Sequence, residues 1–164
     1  MSPESVNNPL RVMMSGIGPM PLVRGRQASS AVRDRIARVQ APESVRAGLY
    51  LFAGFWEQAH ETAQSIETPD GSYWHAIVHR QEPDAGNGSY WFRRVGQHAI
   101  FPFLAERAAE IDPAFKGRWD PYAFIDYCER AAREGGEHER RAIAIQQEEW
   151  ELLLDWCLKP ATDE

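Results

Sequence analysis

The chain of 164 residues has few cysteines and no long hydrophobic run. Its two cysteines, Cys128 and Cys157, form no CxxC motif and are too few for a disulfide scaffold, which is typical of a protein from a reducing compartment. No apolar stretch approaches the ~20 residues that a membrane span needs. The apolar segment at residues 12–23 contains glycines and prolines and lacks a clustered basic region before it, so it does not predict a secretory signal. We therefore expect a cytoplasmic protein that has no membrane partner.

Charge is unevenly distributed along the chain. The net charge is -6, yet the residues up to Arg46 carry seven arginines against three acidic residues, a local balance of +4 that leaves -10 for the remainder. A basic segment of this kind can contact the phosphates of a nucleic acid. This one has no interleaved aromatic residues and no DNA-binding motif, and the acidic remainder of the chain can pair with it. We therefore expect no nucleic-acid partner.

The length predicts one domain, and the hydrophobic periodicity predicts an all-α fold. Residues 1–30 are rich in Pro, Gly, Ser and Asn without a period, which predicts an irregular N-terminal arm. Residues 31–164 are predicted to form a single helical domain, an irregular bundle of about five to six helices. After a short helical segment at 30–39, these helices are predicted at residues 45–66, 69–82, 85–95, 102–111, 121–134 and 138–159.

Four of the five histidines lie within residues 57–98. His75, His79 and Glu82 follow one another in steps of four and three, which places them on one stripe of a helix. His60 lies on a polar stripe of the preceding predicted helix, which can face the first stripe. Three imidazoles and a carboxylate predict a site for one divalent ion, Zn, Mn, Fe or Ni, with the histidines as metal ligands. Glu82 is predicted to be either a fourth ligand or the catalytic base.

The same spacing also has a purely structural interpretation. Two histidines four residues apart often bond only to backbone carbonyls or to carboxylates such as Glu67 or Glu82. Residues 75–79 read HAIVH, with Ala76 where zinc proteases carry a catalytic glutamate, so we do not predict a protease. His98 either caps the C-terminal end of the helix before it or joins the histidine cluster, and we favour the cap.

A second group of polar and aromatic residues follows closely in the sequence. Aromatic rings supply flat apolar walls and guanidinium groups bind carboxylates or phosphates, so this group predicts a pocket for a small polar or anionic molecule. The alternative is an ion-pair network in which the arginines pair with Glu67, Glu82 and Asp84. The predicted ligand-binding residues are Arg80, Asp84, Asn87, Tyr90, Trp91, Arg93 and Arg94.

Residues 66–84 read IETPDGSYWHAIVHRQEPD, and residues 90–96 read YWFRRVG. This stretch resembles a group of uncharacterised, mostly bacterial proteins that carry a very similar ETPxGSYWHAIxHRxEPD…YWFRRVG sequence. The resemblance covers about residues 45–101. It implies a soluble helical protein, and it implies no activity, cofactor or substrate.

Two hypotheses of function follow from these residues. The first is a small metal-assisted enzyme, a hydrolase or lyase that acts on a small polar or anionic molecule, with Arg93 and Arg94 orienting an anionic group. The second is a non-catalytic helical module for ligand binding or protein interaction, in which the same side chains form a buried network. The enzyme hypothesis requires the ring nitrogens of His60, His75 and His79 to come within coordination reach of one point.

Overall fold

The computed structural model describes residues 9–159. Within this range the chain forms helices and no strands, which confirms the predicted all-α class. None of the described helices combines the length and the apolar character that crossing a bilayer requires. The described residues form nine α-helices and one short 3-10 helix at Pro113–Phe115, so the predicted count of five to six is too low. In chain order the α-helices are α1 (Pro9–Met14), α2 (Ser30–Ala37), α3 (Glu43–Phe52), α4 (Trp56–Gln64), α5 (Pro69–Gln81), α6 (Ala85–Val95), α7 (Phe101–Ile111), α8 (Pro121–Glu134) and α9 (Gly136–Leu158).

One difference in the count comes from the predicted six-turn helix at residues 45–66. The structure divides this segment into α3 and α4, and the break lies at Gly54, which has a φ of +84°. A Cβ atom at Gly54 would lie 1.7 Å from the carbonyl oxygen of Arg26, so only glycine fits at the break. The apolar spacing continues across the break because α3 and α4 both pack against α5.

The described part of the predicted N-terminal arm contains α1 and a segment that packs on the other helices. Met20 is buried, and its carbonyl oxygen accepts a hydrogen bond of 3.2 Å from Nε2 of Gln146 in α9. The Arg24 backbone N–H donates to the carbonyl of Gln81 at the end of α5, at 2.8 Å. The prediction of an irregular arm therefore misses α1 and this packing, whereas residues 1–8 lie outside the described part of the chain.

Local sequence signals explain where the central helices begin and end. α5 begins at Pro69, whose fixed φ suits the first turn, and it ends at Gln81, two residues before Pro83. The Asp84 side chain accepts a hydrogen bond from the backbone N–H of Asn87 at 3.1 Å and so caps the start of α6. The predicted ends of both helices agree with the structure to within one residue.

α5 is the central helix of the domain. Every residue from Gly71 to Gln81 is buried, and the helix packs against α3, α4 and α6. α3 comes especially close, because a Cβ atom at Gly48 would lie 2.6 Å from a ring carbon of Trp74. A helix that is buried on all sides is normally apolar, but this one carries two histidines, an arginine and a glutamine. These polar side chains therefore need partners inside the protein.

Candidate metal centre

Three histidines from two helices converge on one side of α5. His60 lies on α4, and His75 and His79 lie about one turn apart on α5. One ring nitrogen of each histidine lies within 4.8 Å of those of the other two. The Nε2 atoms of His60 and His75 are 3.1 Å apart. The structure thus brings together the three residues that were predicted as metal ligands.

Glu82 holds the ring of His79 in position. Its Oε2 atom lies 2.8 Å from Nδ1 of His79. A proton on Nδ1 is donated to this carboxylate, which leaves the lone pair of Nε2 free. Metal-binding histidines commonly have their second nitrogen held by a carboxylate in this way. This contact differs from both predicted roles of Glu82, the fourth ligand and the catalytic base.

Asp84 lies close to the same histidine, but it has partners of its own. A carboxylate oxygen of Asp84 lies within 4.8 Å of ligand atoms of His79 and Glu82. Oδ1 of Asp84 accepts from the Asn87 backbone N–H at 3.1 Å, and Oδ2 accepts from Asn87 Nδ2 at 2.8 Å. These hydrogen bonds lower the pKa of Asp84. The observed contacts of Asp84 and Asn87 are therefore those of a helix cap, and their role in ligand binding stays a prediction.

Burial favours neutral rings at His60 and His75. Burial, together with the neighbouring His60 and His79 rings, lowers the pKa of His75 from its ordinary value of 6.5 to about 3. Burial also lowers the pKa of His60, with a smaller contribution from His79. Nδ1 of His75 is buried and has no hydrogen-bond partner among the described residues. Neutral imidazoles carry the lone pairs that metal coordination requires.

Two tryptophans stack on the histidines of the cluster. The ring of Trp56 stacks on that of His60 at a centroid distance of 5.3 Å, and Trp91 stacks on His75 at 3.8 Å. Nε1 of Trp56 donates to the carbonyl of Val78 at 2.9 Å, which fixes the indole against α5. These flat contacts restrict the rotation of both imidazole rings.

The arginines of the predicted pocket separate into two groups. Arg93 and Arg94 are exposed on α6 and lie over aromatic rings, with guanidinium carbons 6.0 Å from the Tyr90 centroid and 5.4 Å from the Trp91 centroid. Neither forms an ion pair with a carboxylate within residues 9–159. Arg80, in contrast, is buried on α5.

Arg80 forms a buried ion pair with a carboxylate 69 residues away in the sequence. Its Nη2 and Nη1 atoms donate to the two carboxylate oxygens of Glu149, at 2.6 and 3.2 Å. The predicted network with Glu67, Glu82 and Asp84 is therefore wrong for Arg80. Its guanidinium is occupied by α9, so it does not line the predicted pocket beside α6.

Two further side chains complete this buried network. The Tyr73 hydroxyl donates to Oε2 of Glu149 at 2.9 Å, and Oε1 of Gln146 accepts from Arg80 Nη2 at 3.1 Å. A sequence signal for these partners was present, because Gln146 and Glu149 lie on the buried stripe of α9 among apolar residues. A polar residue on an apolar stripe indicates a buried partner.

His98 lies outside the histidine cluster. Its Nδ1 atom accepts from the Ile100 backbone N–H at 3.2 Å, so its Nε2–H is the donor to Oδ1 of Asp70, at 2.8 Å. Asp70 lies in the first turn of α5, and the bond therefore ties the segment after α6 to the start of α5. This contact takes the place of the predicted cap on α6.

Comparison with known proteins adds no assignment to this geometry. The chain matches no family model, no curated protein sequence and no solved structure.

Proposed function

We propose that the chain binds one divalent transition-metal ion through His60, His75 and His79. The observation that carries this proposal is the convergence of one nitrogen from each ring within 4.8 Å. Two imidazole nitrogens on a tetrahedral ion are about 3.4 Å apart, given metal–nitrogen distances of about 2.0–2.1 Å. The 3.1 Å between the Nε2 atoms of His60 and His75 is close to that value. One ring nitrogen of His79 lies within 4.8 Å of those of the other two histidines and completes the set.

The donor set favours particular metals. Imidazole nitrogens suit Zn, Fe and Ni, whereas Mn prefers oxygen ligands, so Mn ranks last of the four candidates. The carboxylate of Glu82 supports the site through Nδ1 of His79, an arrangement that raises the basicity of the ligand nitrogen. Glu82 is thus a positioning residue in this proposal.

His60, His75 and His79 would hold the ion as neutral ligands and would leave its positive charge uncompensated. The ion would lower the pKa of a water molecule bound to it and so supply a nucleophile near neutral pH. We infer a hydrolase or lyase that acts on a small polar or anionic molecule, which the positive centre attracts. His60 is only half-buried, so the cluster has a side on which such a molecule can approach.

A second candidate function rests on the same short distance. At 3.1 Å, Nε2 of one histidine can also donate a hydrogen bond to Nε2 of the other, without any metal. The stacked tryptophans then make the cluster a structural feature of a non-catalytic module for ligand binding or protein interaction. The two functions differ in one measurable property, the response to divalent metals.

Thermal unfolding of the metal-free protein with added Zn, Mn, Ni or Fe(II) tests the proposal. An ion at about 100 times its Kd should raise Tm by about 5–10 °C, because it binds only the folded chain. His79→Ala should abolish the shift. His138→Ala is the matched control, since this histidine pairs with Glu134 outside the cluster and should leave the shift intact. Arg94→Ala should also leave it intact.

A flat response of the natural protein to all four ions contradicts the proposal and favours the non-catalytic module. The catalytic part needs a separate assay with the metal-loaded protein and chromogenic phosphate and carboxylate esters. Hydrolysis should depend on the ion and disappear in His79→Ala, whereas His138→Ala should retain it. The protein could bind the metal and yet neither hydrolyse these esters nor catalyse elimination from β-hydroxy acids. That result would support the metal site and contradict the proposed reaction.

A further inference from the structure

A cleft of about 580 Å³ lies between α7 and the segment that leads into α8. Its volume falls within the range of small-molecule pockets, about 300–1,000 Å³. Phe101 and Ala105 of α7 form one part of the wall, and Trp119 forms another. All three are buried, so the wall is built from fixed side chains of the core. The apolar wall of the cleft therefore belongs to the core.

The charges around the cleft specify the ligand. Lys116 and Arg118 line it, both are exposed, and neither forms an ion pair with a carboxylate within the described range 9–159. The cleft also contains one carboxylate, that of Glu106, so the two cations leave a local excess of one positive charge. His98 contributes no free donor, because Asp70 already accepts its Nε2–H. An apolar wall with an excess of unpaired cations fits an anion that has an apolar body.

We propose that this cleft binds a small organic carboxylate with an aromatic or short aliphatic body. The body packs against the apolar wall of the cleft, to which Phe101, Ala105 and Trp119 contribute. The carboxylate accepts charge-assisted hydrogen bonds from Lys116 and Arg118, the residues on either side of Gly117.

This cleft is separate from the histidine cluster. None of the residues that line it is His60, His75 or His79, and none of them lies on α4 or α5. The inference therefore does not depend on the proposed metal centre. Metal-free protein is suitable for its test.

The test uses 3-phenylpropionate and octanoate as probes, with 3-phenylpropanamide as the neutral counterpart of the first. Saturation-transfer NMR and calorimetry on the natural protein should detect both acids. The amide should bind at least about tenfold more weakly, because it lacks the charge that Lys116 and Arg118 recognise. Equal affinity for the acid and the amide, or no binding of either acid at millimolar concentration, overturns the proposal. This comparison needs no variant protein.

Substitutions of the exposed charged residues around the cleft test whether the acid binds there. Lys116→Gln and Arg118→Gln should each weaken 3-phenylpropionate binding severalfold, whereas Glu106→Gln should strengthen it, because a like charge is removed. Arg35→Gln is the control, an exposed cation on α2 that does not line the cleft, and it should leave the affinity unchanged. An equal effect of Arg35→Gln and Arg118→Gln, or no effect of any of these substitutions, would show that the acid binds elsewhere and overturn the proposal.

Discussion

Two polar regions lie on opposite faces of the same buried helix, and they differ in how well their polar atoms are satisfied. Tyr73 and Arg80 are seven residues apart on α5 and face α9, whereas His75 and His79 lie on the opposite face, beside α4. In the first region, the Arg80 guanidinium, the Glu149 carboxylate and the Tyr73 hydroxyl form hydrogen bonds with one another. In the second region, one ring nitrogen from each of three histidines lies close to those of the other two. A satisfied network stabilises a fold, and converging lone pairs prepare a binding site.

In the region that faces α9, the charged and polar groups pair with one another. Glu149 is wholly buried, and it receives hydrogen bonds from Arg80 and Tyr73 on one helix. Burial alone lowers the pKa of Arg80, but the adjacent Glu149 carboxylate more than compensates and raises it above its ordinary value. Burial and the same carboxylate raise the pKa of Tyr73. Arg80 therefore stays charged and Tyr73 stays neutral over the physiological range.

The region beside α4 has fewer internal partners. Glu82 satisfies one nitrogen of His79, and the contact between His60 and His75 satisfies at most one lone pair. Nδ1 of His75 has no partner among residues 9–159. Aromatic stacking holds these rings in place without using their nitrogens. Substitutions of the side chains that face α9 should therefore lower the stability of the fold, whereas substitutions of those that face α4 should weaken metal binding.

The largest effect should come from Glu149→Leu. This change leaves the Arg80 guanidinium buried without a counter-charge and removes the acceptor of the Tyr73 hydroxyl. We expect a loss of about 3–5 kcal/mol in the free energy of unfolding, the range for breaking a buried ion pair on one side. Urea unfolding measures it.

The double variant Arg80→Met/Glu149→Leu is the control for this interpretation. It replaces both charges by apolar side chains, so it should recover much of the lost stability. Glu137→Gln removes an exposed carboxylate of the same helix, which pairs with Arg140, and should leave unfolding nearly unchanged. If Glu149→Leu unfolds at the same urea concentration as the natural protein, the buried network does not stabilise the fold.

The separation in sequence between interacting residues explains which parts of the molecule were predictable. Helix ends depend on neighbouring residues, so Pro69 and Asp84 were sufficient to predict where α5 and α6 begin. The break at Gly54 depends on the carbonyl of Arg26, which is distant in sequence, and the apolar spacing across it concealed the turn. Such tertiary contacts leave no local pattern.

The candidate site was predictable to the extent that its residues are close in sequence. His75 and His79 share a face because of helical spacing, and His60 lies only 15 residues before His75, so this cluster could be predicted from sequence. The pair of Arg80 and Glu149 spans 69 residues, and the sequence offered many nearer carboxylates as partners. Interior pairing over that distance requires the packing of α5 against α9.

A smaller effect is expected from Glu82→Gln, and it concerns metal affinity. The amide oxygen still accepts a hydrogen bond from Nδ1 of His79 but carries no charge, so the ring becomes a weaker ligand. We expect Zn affinity to fall about 10–100-fold, which corresponds to about 1.4–2.7 kcal/mol. Competition with a chromophoric chelator measures it.

Glu61→Gln is the matched control for the charge itself. Glu61 is exposed on α4 and raises the pKa of His60 through its charge, but no hydrogen bond joins it to a cluster histidine within residues 9–159. It should lower the affinity much less than Glu82→Gln. Equal losses in the two variants would mean that Glu82 acts through its charge at a distance and does not position His79.

The smallest effect should be a change in the pH dependence of stability, measured in the metal-free protein with a chelator present. The folded state holds the pKa of His75 near 3, whereas the unfolded chain has the ordinary value of 6.5. As the pH falls below 6.5, the unfolded chain takes up a proton that the folded protein does not bind, so the free energy of unfolding decreases. His75→Gln removes this difference, and its stability should fall less steeply between pH 6.5 and about 5, above the range in which carboxylates titrate.

His138→Gln, at an exposed pair with Glu134, should keep more of the natural slope. Identical slopes for the two variants would contradict the burial of a neutral ring at His75, and with it the distinction between the two faces of α5.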